Sequence, residues 1–128
     1  MATTITGCNS PLFSNKTIEY TAVEAKNSGK QVSHAEFYEA IAEADYVLLG
    51  ELHGNKEHHR LQLEVVNQLL ISGRKPALVF EMFDQQQQSL INQVVESDKP
   101  NANRVAKAVD WKNSGWPKWR LYRPLVKA

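Results

Sequence analysis

An apolar run at residues 46–49 leads directly into the sequence Gly-Glu-Leu-His at positions 50–53, and this junction constrains the fold more than any other feature. An uninterrupted apolar run is typical of a buried parallel strand. A helical pattern follows at 56–71, with Asn55 placed to cap its start. A second apolar run, residues 77–80, completes a β-α-β unit with an expected right-handed crossover. The sequence therefore predicts an α/β fold with a mostly parallel central sheet.

Local signals outside this unit predict further elements. Capping-box patterns and apolar periodicity indicate three more helices, and alternating apolar and polar residues indicate a half-exposed strand. We expect a flexible lead-in at 1–16, the strand at 17–23, and the helices at 34–42, 85–95 and 102–109.

Composition limits the classes of function. Fifteen basic residues balance fourteen acidic ones for a net charge of +1, so nucleic-acid binding has no electrostatic support. The apolar runs are too short to span a bilayer. The Ile-Thr-Gly-Cys sequence ending at Cys8 resembles the end of a bacterial lipoprotein signal, but only Met1 to Thr4 precede it. We interpret it as a remnant of such a leader or as a plain N-terminus, not as a working signal. Membrane attachment would require a lipid on Cys8.

Polar side chains follow both apolar runs and lie on the apolar faces of the helices after them. At 100° per residue, several polar residues fall within the apolar arc of each helix. Because buried polar groups need partners, the sequence predicts a shared polar pocket. Its predicted members are Glu51, His53, His58, His59 and Glu81, with Gln62 and Gln87 as supporting groups.

Three functions fit such a pocket. Neutral imidazoles at helix starts suit haem binding. Alternatively, Glu51, His53 and either His58 or Glu81 hold a divalent metal ion for hydrolysis. In the third interpretation the cluster is structural, the histidines bond to the backbone, and the chain has no activity of its own.

An ordered series of motifs resembles the ChaN-like haem-binding lipoprotein family, which belongs to the Tiki/TraB and erythromycin-esterase-like group sharing a Gly-x-x-His motif. The series covers residues 17–128 and includes Val47–His53, His58-His59, Gln62, Phe80–Asp84, Gln87-Gln88, Ser114–Pro117 and Tyr122–Leu125. The resemblance implies a parallel-sheet α/β fold, haem binding, a role in iron uptake, and a place in the bacterial cell envelope on the periplasmic side. A tyrosine ligand is expected in the haem binders, which makes Tyr122 a candidate.

The family's domain is about twice the length of this chain. We therefore expect residues 17–128 to form the N-terminal half of a larger three-layer domain. An exposed sheet edge and apolar face then predict self-association as a homodimer.

Overall fold

The computed structural model describes the backbone of residues 23–25 and 30–128 and the side chains of residues 31–128. The chain divides into two units, Met1–Ser33 and His34–Ala128. In the first unit, strands β1 (Val23–Ala25) and β2 (Lys30–Val32) pair antiparallel. The predicted lead-in, Cys8 and all but the last residue of the predicted strand at 17–23 lie outside the described residues.

The second unit is built from helices. Five α-helices and three short 3-10 turns follow one another along its described residues. The predicted helices at 34–42, 56–71 and 102–109 are confirmed within one residue at each end, whereas the one predicted at 85–95 opens as a 3-10 turn and becomes an α-helix only at Gln88. The α-helices are α1 (His34–Glu43), α2 (Lys56–Ile71), α3 (Gln88–Val95), α4 (Ala102–Ala108) and α5 (Arg123–Lys127); the 3-10 turns are Gln85–Gln87, Trp111–Asn113 and Trp119–Leu121.

Local capping explains where these helices begin and end. The Asn55 side chain accepts hydrogen bonds from the first amides of α2, as its sequence position predicts. Gly73 follows α2 with φ +83°, a conformation that favours glycine and reverses the chain. The guanidinium of Arg74 then donates to the carbonyl of Ala42, in the last turn of α1, and to that of Ala44, just beyond it. The end of α2 is thereby fixed against the end of α1.

Two hydrophobic clusters form the core of the second unit. The first lies between α1 and α2 and joins Ile41, Val65 and Leu69, with Val47 packed against them. The second is aromatic: Trp111 and Tyr122 lie at its centre beside Val109, surrounded by Phe83, Trp116, Trp119 and other partly buried residues. Since Tyr122 is only 1% exposed, the second cluster fixes this side chain firmly.

The predicted parallel sheet is wrong, and with it the α/β class and the three-layer arrangement built on that sheet. That residues 17–128 form the N-terminal half of a longer domain stays a prediction. Neither 46–49 nor 77–80 forms a strand, and the described strands are those of the β1–β2 hairpin. Val47 packs on the core, but Leu48 is 94% exposed and Val79 95% exposed. A strand requires a hydrogen-bonded neighbour, and an apolar run does not supply one by itself.

An apolar groove of about 1020 Å³ lies among α3, α4, α5 and the segment that precedes α3. Its apolar lining includes Leu78, Phe83, Ile91, Val105 and Val126. Two basic residues, Arg123 and Lys127, also line it. None of the residues that line it is a His, Cys, Met or Tyr, the usual protein ligands of haem iron. Among the described residues, no helix combines the length and apolarity that a membrane span requires.

Truncating the core and truncating an exposed leucine should have different effects on stability. We expect Leu69→Ala to lower the free energy of unfolding by about 2–4 kcal/mol, because it leaves a cavity between α1 and α2. Leu48→Ala is the matched control and should change it by less than about 0.5 kcal/mol. Denaturant unfolding of both variants measures the difference. Equal losses would show that Leu48 is buried in solution.

Candidate functional site

The candidate site is the segment between residue 49 and the start of α2, where Glu51 and His53 lie two residues apart. The Glu51 side chain is 8% exposed and that of His53 is 35% exposed. Nδ1 of His53 lies 2.7 Å from Oε1 of Glu51, a charge-assisted hydrogen bond in which the ring nitrogen donates. This bond fixes the tautomer of His53 with its proton on Nδ1 and leaves Nε2 unprotonated.

Tyr122 closes the site from the other end of the chain. Its hydroxyl lies 3.0 Å from Oε1 of Glu51 and 3.2 Å from the carbonyl oxygen of His53. Its ring packs edge-on against the imidazole of His59, with centroids 4.4 Å apart, and also contacts Trp111. The aromatic cluster therefore positions the hydrogen-bond donor that reaches Glu51.

Three polar side chains in the first two turns of α2 hold the backbone of this segment; we call them the loop clamp. The amide of Leu52 donates to Nδ1 of His58 at 2.9 Å, and Nε2 of His59 donates to the carbonyl of His53 at 2.9 Å. The side-chain amide of Gln62 donates from Nε2 to the backbone carbonyl of Leu49 at 3.3 Å. Polar residues on the apolar face of α2 thus satisfy backbone groups that would otherwise lack partners.

Two buried atoms in the site have no hydrogen bond. Oε2 of Glu51 and Nδ1 of His59 lie 3.0 Å apart, within ion-pair distance, but the ring nitrogen is not aimed at the oxygen and the two do not form a hydrogen bond. The distance governs their electrostatic attraction, whereas the angle governs the bond. Their attraction is therefore electrostatic, and it contributes to lowering the pKa of Glu51.

The surroundings of Glu51 keep it ionised. Burial raises the pKa of Glu51, but the hydrogen bonds from His53 and Tyr122 and the charge on His59 together more than offset it, so the pKa is below its ordinary value. Burial and the hydrogen bond to the Glu51 carboxylate raise the pKa of Tyr122 far above its ordinary value. The pair is therefore a carboxylate accepting from a neutral phenol.

The exposed side of His53 faces an acid and an indole. Nε2 lies 4.0 Å from Oε2 of Glu81, too far for a hydrogen bond, and Glu81 is itself 74% exposed. The ring of Trp116 contacts the imidazole edge-on at a centroid distance of 4.8 Å. Glu81 and Trp116 therefore form the surroundings of His53 on the side away from Glu51.

The structure separates the predicted site residues into groups. Glu51, His53, His59 and Tyr122 lie together, and Glu81 lies at their edge. His58 bonds the backbone, and Gln62 bonds the backbone carbonyl of Leu49 and also helps to lower the pKa of Glu51. Gln87 contacts neither Glu51 nor His53 among its described hydrogen bonds; it bonds the backbone of Asp84 and Val109, forming the capping box its position predicts and joining two loops.

The contact of Trp116 with His53 was not among the predictions from the sequence. The signal was present in the Ser-Gly-Trp-Pro motif at 114–117, where Gly115 takes φ +83° and Ser114 accepts the amide of Trp116. This turn presents the indole. The local pattern does not reveal which residue the indole meets.

A divalent metal ion fits this site poorly. Among the described residues, no group of three or more His, Cys, Asp or Glu side chains is arranged to hold one. Nδ1 of His53 donates to Glu51, and Nδ1 of His58 accepts from the backbone, so the predicted set of Glu51, His53 and His58 does not converge. Catalytic zinc sites usually need three protein ligands.

The arrangement defines a class: a helical unit that presents one carboxylate-supported imidazole beside aromatic side chains. The family described as "Haem-binding uptake, Tiki superfamily, ChaN" matches residues 37–128. The chain belongs to this family, which confirms the resemblance read from its motifs. No curated protein and no solved structure matches the chain.

The lowered pKa of Glu51 gives a pH-dependent contribution to stability. The ordinary pKa of this carboxyl is 4.5, and in the folded protein it is lower. The carboxylate therefore stabilises the fold above pH 4.5, and this contribution is lost as the pH falls below 4.5 towards the folded-state pKa. We expect the difference in free energy of unfolding between the wild type and Glu51→Gln to be largest at neutral pH and to shrink below pH 4.5. Denaturant titrations across this range measure it.

Glu81→Gln provides the control, because its carboxyl is largely exposed and the loss of its charge should alter stability little at any pH. A difference between the wild type and Glu51→Gln that stays constant across the range would contradict the assignment of Glu51 as a stabilising carboxylate.

Proposed function

We propose that the protein binds haem and that Nε2 of His53 is the group that ligates the iron. The observation that carries this proposal is the 2.7 Å hydrogen bond between Nδ1 of His53 and Glu51, in a side chain that is 35% exposed. Histidine is a common axial ligand of haem iron in proteins. The family's description as haem-binding supports the choice of ligand.

The donor set fits the iron of haem. Metal-ligating histidines usually donate their second ring N–H to a carboxylate or carbonyl, which fixes the ring and raises its basicity. Glu51 supplies that carboxylate, and its lowered pKa keeps it an acceptor at neutral pH. Haem bound here would supply an iron centre with an open coordination position, and His53 would hold it.

The remaining residues have supporting roles. Trp116 contacts the His53 ring and restrains its rotation. It also offers an aromatic surface on the exposed side of the site, against which a porphyrin can pack. The loop clamp holds the backbone on both sides of Glu51, which limits the positions that His53 can take.

Tyr122 supports the site better as a hydrogen-bond donor than as the iron ligand. Ligation by tyrosine requires the phenolate, and burial and the neighbouring Glu51 carboxylate disfavour its formation. The side chain is also 1% exposed, with its hydroxyl directed at Glu51 and the His53 carbonyl.

We further propose that haem binding serves iron uptake, with the protein acting in the bacterial cell envelope. The support is the family's description as an uptake family. A metal-dependent hydrolase is not favoured, because the described residues offer His53 and Glu81 at the exposed edge without a third ligand.

Replacing His53 should weaken the binding of haem. We expect haem titrated into the wild-type protein to shift its Soret band, and His53→Ala to weaken binding by more than about tenfold, because the axial nitrogen is lost. Absorbance titration with monomeric haem measures both.

His34→Ala is the matched control, since His34 begins α1, outside the site, and its loss should leave the titration unchanged. A wild-type protein that gives no Soret shift would contradict haem binding. A His53→Ala variant that matches the wild type in affinity and spectrum would contradict His53 as the ligand and favour a purely structural cluster.

A further inference from the structure

We infer that Glu51 and Tyr122 act as opposed positioning residues that set the electron-donor strength of His53, an inference that rests on the proposed haem site. Glu51 increases the donor strength by accepting from Nδ1, and Tyr122 limits it by donating to the same oxygen. Neither residue touches the position at which a ligand would meet Nε2.

Both donors converge on one oxygen atom. Oε1 of Glu51 lies 2.7 Å from Nδ1 of His53 and 3.0 Å from the hydroxyl of Tyr122. Oε2, the second oxygen, has no hydrogen bond. The donors of His53 and Tyr122 therefore meet at Oε1, where they compete for the electron density of the same atom.

The competition has a predictable direction. A charged acceptor makes a stronger hydrogen bond than a neutral one, so the Glu51 carboxylate draws the proton of His53 towards itself and gives the ring partial imidazolate character. A second donor on the same oxygen withdraws part of that electron density. Removing the Tyr122 hydroxyl should strengthen the bond to His53, whereas neutralising Glu51 should weaken it.

The position of Tyr122 makes this influence steady. Its ring is fixed between Trp111 and His59, at centroid distances of 4.9 and 4.4 Å. The hydroxyl is therefore held at Oε1 by the aromatic cluster. A structural role alone would make the two substitutions act alike, because each loosens the site, whereas the proposed role makes them act in opposite directions.

The ligand-free protein provides the decisive test. The imidazole Nδ1–H proton of His53 should resonate far downfield in the NMR spectrum of the wild type, further downfield in Tyr122→Phe, and upfield of the wild type in Glu51→Gln. Glu81→Gln is the charge-matched control: it removes a carboxylate near Nε2 without touching Nδ1, so the resonance should stay in place.

If Tyr122→Phe does not fold, biosynthetic replacement of tyrosine by 3-fluorotyrosine keeps the packing and makes the phenol a stronger donor, and the His53 resonance should then move upfield. Shifts of Tyr122→Phe and Glu51→Gln in the same direction, or no shift in either, would overturn the inference, as would a downfield or absent shift with 3-fluorotyrosine.

Bound haem provides a second reading of the same effect. A more basic axial imidazole stabilises the ferric state, so the reduction potential should rise in Glu51→Gln and fall in Tyr122→Phe. If the NMR order holds but haem gives no Soret shift, the proposed function fails while the control of His53 by Glu51 and Tyr122 stands. If haem binds but the NMR order is absent, the inference alone fails.

Discussion

The buried carboxylate of Glu51 is the group on which the rest of the site depends. It accepts from Nδ1 of His53 and from the hydroxyl of Tyr122, and it faces the imidazole of His59. A buried charge is tolerated only where donors and opposite charge compensate it. These three side chains come from the segment before α2, from the residue that precedes α5, and from α2 itself, so one carboxylate draws three parts of the second unit together.

The loop clamp explains why α2 carries polar residues on its apolar face. A segment without regular secondary structure leaves backbone groups unpaired, and His58, His59 and Gln62 supply the missing partners. The same helix buries Val65, Val66 and Leu69 further along. Its first half therefore organises the site, and its second half packs against α1. These contacts hold the backbone around His53, whose Nε2 is the atom that we propose as the ligand of haem iron.

The sequence predicts the local parts of this structure well. Helices and caps such as Asn55 and the Asp84–Gln87 capping box depend on residues a few positions apart, and the structure confirms them. The prediction of a parallel sheet was wrong because strand pairing depends on residues that are distant in the sequence. Among the described residues, the runs at 46–49 and 77–80 have no strand to pair with. The contact of Tyr122 with Glu51 spans 71 positions, and no periodic pattern reports such a distance. The polar residues on the apolar face of α2 predicted a buried polar cluster. They did not reveal which side chains would bond the backbone and which would face Glu51.

The most direct measurement of the central claim is the tautomer of His53 in the ligand-free protein at neutral pH, read from nitrogen-15 NMR of the imidazole ring. We expect a protonated Nδ1, held by Glu51, and an unprotonated Nε2 with its lone pair available. A proton found on Nε2, with Nδ1 bare, would show that Glu51 does not hold the ring. It would contradict the proposal that Nε2 of His53 ligates the iron.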